Sequence, residues 1–532
     1  MLRTMKTIFF AFIMLLFVQS CESDLDLQPE DNRLTADVAF SDPTAYKAFL
    51  AKIYAGISVS GQQGPAGDAD LSGLDEGFSN YLRLYWSMQE LTTDEAIIGW
   101  NDGTIKDLHS QTWTSGNEFI RTMYSRIMYQ VALTNEFLRQ TTDAKLDARG
   151  TDDALRAEIH NYRAEVRFMR ALTYWHAMDL FGNVPFVTEN DPIGAFLPQQ
   201  IQRADLFNYV ESELLDIENT IVPARQNEYG RADQAAVWML LAKLYLNAEV
   251  YTGTPRYTEV ITYTTKIINA GYSIAPNPYY QLFLADNDSN GTQSEVIFPI
   301  TFDGIHTQSY GGMTFLVHAP VGGSMVPANY GINGGWAGIR TTSTFVDQFP
   351  GEENSADGRA LFYTAGQSKE ITNVSAFNNG YAIEKFRNVD VNGNQGSDAT
   401  GDMPDTDFPM FRLADAYLMY AEANLRGGGG SAADAVTYIN LLRERAYGNT
   451  SGDISQSDLT LDFILSERSR ELFWEGHRRT DLIRFGKFSD SGVWPWKGNV
   501  AQGVTTEAYR DLMPIPATDL GVNTNLQQNE GY

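Results

Sequence analysis

Ala164-Glu-Val-Arg-Phe168-Met-Arg-Ala171 reads small, large, small at spacings of four and three. The chain repeats the pattern at Ala235, Met239, Ala242 and at Ala414, Leu418, Ala421. On a helix such positions share one face, and two alanines flanking a bulky residue let a neighbouring helix approach closely. This is the packing logic of tetratricopeptide helices. Periodicity around the three copies predicts helices over 153–181, 203–219, 232–248, 257–270, 411–426, 432–447 and 459–485. Two more are expected over 43–55, where Asp42-Pro43 supplies a cap and a first-turn proline, and over 117–140. The chain is therefore expected to be mostly α with little β. Unequal insertions separate the copies, which excludes a regular solenoid with one continuous groove.

Between and beyond these helices lie stretches rich in glycine and polar residues, at 61–77, about 271–409 and 488–532. Long loops on a rigid frame are where binding residues gather. Within the middle stretch, Glu295 to Thr301 and Thr314 to His318 alternate and are read as strands.

The first twenty residues read as an address. Arg3 and Lys6 precede an apolar run from Ile8 to Val18, the length of a signal-peptide core and short for a membrane span. The run ends at Val18-Gln-Ser-Cys21, which resembles a bacterial lipobox. Cys21, the only cysteine of 532 residues, would then carry the lipid anchor. With 39 basic and 67 acidic residues the formal charge is −28, which excludes nucleic acid as a partner. A lone thiol excludes internal disulfides and cysteine-based zinc sites. There is no His-Glu-x-x-His, Gly-x-Ser-x-Gly or P-loop pattern, and the chain is read as no enzyme. His477 sits in an arginine-rich helix end beside Asp481 and is assigned to a structural ion-pair network.

Two loop tryptophans stand apart from the helical stripes. Trp100 and Trp336 sit among Gly, Asn and Asp, where no core stripe explains them. A sugar ring offers a flat apolar face and a rim of hydroxyls, so aromatic platforms with a few polar partners suit it. Asp286-Asn-Asp288-Ser-Asn290-Gly291 is the first half of a calcium-loop pattern. Ile297 stands where an EF-hand would place its glutamate, which rejects an EF-hand.

Five ordered blocks name a family. Arg163 to Trp175 running into Asp179-Leu-Phe-Gly-Asn-Val-Pro-Phe186, Arg231 to Trp238, Phe411 to Leu418, Glu467 to Gly486, and Pro514-Ile-Pro-Ala517 with Gln528 to Tyr532 resemble SusD/RagB outer-membrane lipoproteins. The acidic stretch Glu22 to Asp26 resembles the surface-export signal of such lipoproteins. The resemblance implies a SusD-like α/α superhelix on four tetratricopeptide-type helix pairs. It divides the chain into a signal peptide (1–20), a tether (21–40) and one domain (41–532), with the frame at about 117–270 and 411–485 and loop-rich excursions at about 56–116 and 271–410. The implied partners are a TonB-dependent SusC-like transporter, other surface glycan-binding lipoproteins and, through the anchor, the outer membrane, with the protein on the cell surface.

Residues 61–113 and Tyr310 through Trp336 resemble the starch-binding branch, which implies an α-glucan or malto-oligosaccharide ligand. Carried over by motif, Trp100, Tyr310 and Trp336 form an aromatic arc with Asp75 and Arg83 as polar contacts, and Asn101 substitutes in a loop one residue short. The same resemblance implies a structural calcium on Asp288, Asp405 and Asp407, with Asp286 in the half-motif. The alternatives are a member of the fold that binds another glycan, or peptides as in the RagB branch, and a purely structural lid of the transporter.

Overall fold

The computed structural model describes residues 36–67, 69–71, 74–275 and 278–532. The signal peptide, Cys21 and the tether as far as residue 35 lie outside the described residues.

The principal helices are α1 (Thr44–Ser58), α2 (Tyr81–Gln89), α3 (Glu118–Gln140), α4 (Asp153–Phe181), α5 (Arg203–Ile217), α6 (Gln234–Leu246) and α7 (Tyr257–Ile268). They continue with α8 (Gly312–His318), α9 (Leu413–Leu425), α10 (Ala432–Tyr447), α11 (Leu461–Leu472) and α12 (Arg478–Arg484). Caps fix several starts: Asn117 accepts from the Phe119 and Ile120 amides, and Asp233 from those of Ala235 and Ala236. α3 packs on α4, α4 on α5, α6 on α7, α7 on α9 and α9 on α10. The nine residues of the repeated pattern are all buried, so each predicted face is a helix–helix contact. Four two-stranded ladders supply the only sheet among the described residues. Two of them matter below: β1 (Ile97–Ile98) with β3 (Ile339–Arg340), and β2 (Val296–Ile300) with β4 (Phe408–Arg412). No helix among the described residues is long and apolar enough to cross a membrane.

The structure departs from the expected elements in three places. Thr314 to His318 is helical, not a strand. Every residue of α8 is buried, and an apolar run enclosed on all sides carries no reliable period. Phe411 and Arg412 belong to β4, and the helix begins only at Leu413.

The expected helix 459–485 is two, α11 and α12. Its break holds Trp474 at φ +62° and Gly476 at φ +79°. Tertiary partners hold the break: Trp86 donates its indole N–H to the Trp474 carbonyl (3.0 Å), Trp474 donates to the Glu95 carbonyl (3.2 Å), and the Glu90 carboxylate accepts from the Gly476 amide (2.7 Å).

The core is crossed by buried ion pairs. Arg412 bonds Glu295, Glu471 and Glu475 at 2.9, 2.6 and 2.6 Å, and Arg359 bonds Asp357, Glu467 and Glu471 at 2.6, 2.8 and 3.1 Å. Arg445 also bonds Glu471. His477 faces Lys243 at 3.1 Å in a second buried set, where Asp415 pairs with Lys243 and Arg468, and Arg468 with Asp481. Burial first, then the Lys243 charge, pushes its imidazole pKa well down, and the opposing charges of Asp415 and Asp481 do not restore it.

Candidate functional site

The β1–β3 ladder makes the site. Ile97 and Ile98 pair with Arg340 and Ile339, and the Gly99 amide continues the ladder to the Gly338 carbonyl at 2.8 Å. Trp100 and Trp336 flank this ladder, so 236 residues of separation collapse to a ring-centroid distance of 6.2 Å at 47°. Trp100 donates its indole N–H to the Trp336 carbonyl at 3.1 Å. Gly338 is required here, because a Cβ would lie 2.2 Å from Trp100 Cε2.

Each indole is held from behind. Trp336 stacks on His318 (4.9 Å, 25°), whose ring nitrogens face the carbonyls of Gly334 (2.7 Å) and Asp402 (2.9 Å). Burial lowers the pKa of this imidazole, against the raising effect of those two carbonyls. Trp100 meets Phe315 edge-on at 6.1 Å. Both supports come from α8, so the element misread as a strand is the one that backs the platform.

The polar side is built by α2 and the turn before it. Asn80 caps α2 by accepting from the Arg83 amide, and Arg83 lays its guanidinium over Phe315 at 4.4 Å. Burial lowers its pKa to about 10, while the charges of Asp75, Asp102 and Glu76 act to raise it. Asp75 is exposed and accepts from the Phe78 amide at 3.0 Å. Tyr310 is 38% exposed and donates its amide to Glu76 at 3.2 Å. Burial, its largest cause, raises the pKa of Glu76.

Together these groups line an open cleft of about 530 Å³. Five predicted residues, Asp75, Arg83, Trp100, Tyr310 and Trp336, share that wall. Asn101 is exposed beside it and is not among the lining residues. Glu76, Asp102 and the turn Pro65 to Gly67 complete the wall, and sequence reasoning passed over them. Glu76 and Asp102 stand next to the predicted Asp75 and Asn101, so neighbourhood in sequence was the available signal.

The predicted metal residues lie elsewhere. Burial raises the pKa of Asp407 to about 7, and the charges of Asp288 and Asp405 add a smaller push in the same direction. Yet Asp405 accepts from the Gly304 and Ser397 amides and the Ser397 hydroxyl. Asp407 accepts from the Phe302 amide, and Asp286 from the Asn290 side chain and the Val391 amide. Among the described residues no three acidic, histidine or cysteine side chains form a set that could hold a metal. As arranged, these donors do not make a calcium cage.

Comparisons agree with this architecture. The SusD family profile matches residues 358–532. The chain is 36% identical to the starch-binding protein SusD of Bacteroides thetaiotaomicron, over 97% of this chain and 96% of that protein. It is 27% identical to the SusD-like protein P25 of Formosa agariphila over 73% of this chain and 76% of that one. Among solved structures it is similar to a SusD superfamily protein of Parabacteroides distasonis, with a TM-score of 0.70 and 22% identity, covering 94% of this chain and 100% of that one. It is likewise similar to surface glycan-binding protein A of Bacteroides thetaiotaomicron in complex with laminarihexaose, with a TM-score of 0.68 and 20% identity over 91% of this chain and 98% of that one. With a relative 36% identical along nearly its whole length, the chain belongs to the SusD family, whose members bind and do not catalyse.

Proposed function

We propose that this protein is a cell-surface lipoprotein that captures starch chains or malto-oligosaccharides and passes them to a TonB-dependent SusC-like transporter. The observation that carries the reading is the pair Trp100 and Trp336, with Tyr310, around one cleft whose hydrogen-bonding groups are Asp75 and Arg83. Two indoles inclined to each other by 47° suit a curved chain of sugars better than a straight one. The name of the 36% identical relative supports starch as the ligand. The cleft is open and shallow, so affinity for a short ligand is modest.

Calorimetric titration of residues 22–532 with maltoheptaose, with cellohexaose and laminarihexaose as controls, tests this. Binding of maltoheptaose alone supports the α-glucan reading. Preference for laminarihexaose would move the site to another glucan, and no binding at all would leave a structural lid. Lipidation of Cys21 and association with the transporter belong to the same proposal. Mass spectrometry of the mature N-terminus and co-purification from outer membranes check them.

On the resemblance alone, a structural calcium is kept as a proposal on Asp288, Asp405 and Asp407. Binding would require their turns to rearrange, since Asp405 and Asp407 now accept from main-chain amides and Asp288 from the Ser289 hydroxyl. At a hundredfold excess over its dissociation constant, calcium should stabilise the fold by about 2.7 kcal/mol. A melting temperature equal in calcium and in chelator would remove calcium from the account.

A further inference from the structure

A second cleft, of about 290 Å³, lies between α1 and the turn Glu228 to Arg231. Its walls carry Tyr54, Ala51 and Ser58 from α1, Tyr229 from the turn, and Thr301 and Thr307 from the segment that follows β2. Tyr229 is 44% exposed, so part of its ring faces solvent. The turn that presents it is pressed against the wall. Gly230 has φ +86°, and a Cβ there would lie 2.7 Å from Thr301 Cγ2.

The charges of this cleft balance. Lys47 pairs with Glu228 at 3.4 Å, and Arg231 pairs with Glu228 at 3.2 Å and with Glu165 at 2.5 Å. In a chain of formal charge −28 this is a locally neutral rim offering both donors and acceptors, which suits hydroxyl-rich neutral ligands. Tyr54 is half-buried, and its hydroxyl is engaged: it donates to Glu165 at 2.7 Å and accepts the Ala232 amide at 2.9 Å, so it shapes the floor.

The two clefts are neighbours. Thr307 lines this one and Tyr310 the tryptophan cleft, and three residues of chain span at most about 11 Å. The join is rigid: the Asn80 amide that caps α2 donates to the Ser58 carbonyl (2.7 Å) and the Ser309 hydroxyl (3.3 Å).

We propose that the Tyr229 cleft is a second saccharide subsite, holding a neutral stretch of the same glycan chain that lies across Trp100 and Trp336. This rests on the glycan reading of the tryptophan cleft. A polymer touching both subsites gains effective concentration at the second, and a trisaccharide does not.

The test compares soluble starch with maltotriose on the wild type, Tyr229→Ala and Ala51→Trp. Ala51 is exposed on a helix, so a tryptophan there fills the cleft and removes no native contact. Both variants should weaken binding to soluble starch by at least about tenfold and leave maltotriose affinity unchanged. If Ala51→Trp binds soluble starch as the wild type does, the second subsite is overturned, whatever Tyr229→Ala shows. If the wild type binds neither ligand, the reading of the tryptophan cleft falls first and this one with it.

Discussion

Trp336→Ala should abolish most glycan binding while the protein stays folded. The indole is the half-exposed face of a stack whose other member, His318, is buried. Aromatic anchors of this kind cost at least about 2 kcal/mol when truncated, which is about a 30-fold loss of affinity. The second indole is spared, because Trp100 is hydrogen-bonded to the main-chain carbonyl of residue 336 and rests on Phe315. The loss therefore reports on the Trp336 ring and not on collapse of the site. Titration with maltoheptaose, beside a urea unfolding curve, checks this. Unchanged affinity would remove Trp336 from the binding surface.

Glu471→Ala should be the most damaging single change to stability. Its carboxylate is fully buried among Arg359, Arg412 and Arg445, and breaking such a set by removing one partner costs about 3–5 kcal/mol because three buried cations lose a shared counter-charge. Burial pushes the Glu471 carboxyl up, but Arg445, Arg412 and Arg359 outweigh it and hold it at about 2, below its ordinary 4.5. A depressed carboxyl contributes stability that is complete above its unfolded value and lost as pH falls through the folded one. Wild-type stability should accordingly decline between about pH 4.5 and pH 2, and the variant should show a shallower decline over that window. Urea midpoints across this range decide it, and a variant with the wild-type midpoint would show that the network adds nothing.

Much of the frame was legible because long helices write their period into the chain. The expected 153–181 and 432–447 match α4 and α10 residue for residue. What was illegible lies where tertiary contacts override local pattern. No period within residues 459–485 announces that Trp86, Glu90 and Glu95 will hold the chain open around Trp474. Likewise, α8 is too short and too enclosed for its alternation to mean anything. At the site, Trp100 and Trp336 stood out by being aromatic in polar loops. Glu76 and Asp102 did not, since one carboxylate in an acidic chain resembles any other. The Tyr229 cleft was invisible for a further reason: its walls come from positions as far apart as Lys47 and Thr307, and only the fold brings them together.

The long-range bonds around α2 also set the order in which the molecule can be completed. Trp86 finds its partner 388 residues later, and the Asp94 carboxylate meets Arg478 across 384. A chain emerging from its N-terminal end therefore carries the first half of its core with no counterpart until almost all of it is available. Loop closure over such spans is slow, and the waiting surfaces are prone to aggregate. A protein built this way completes its core only when nearly the whole chain is present. Fragments ending before residue 474 should then collect as insoluble material rather than as smaller native domains.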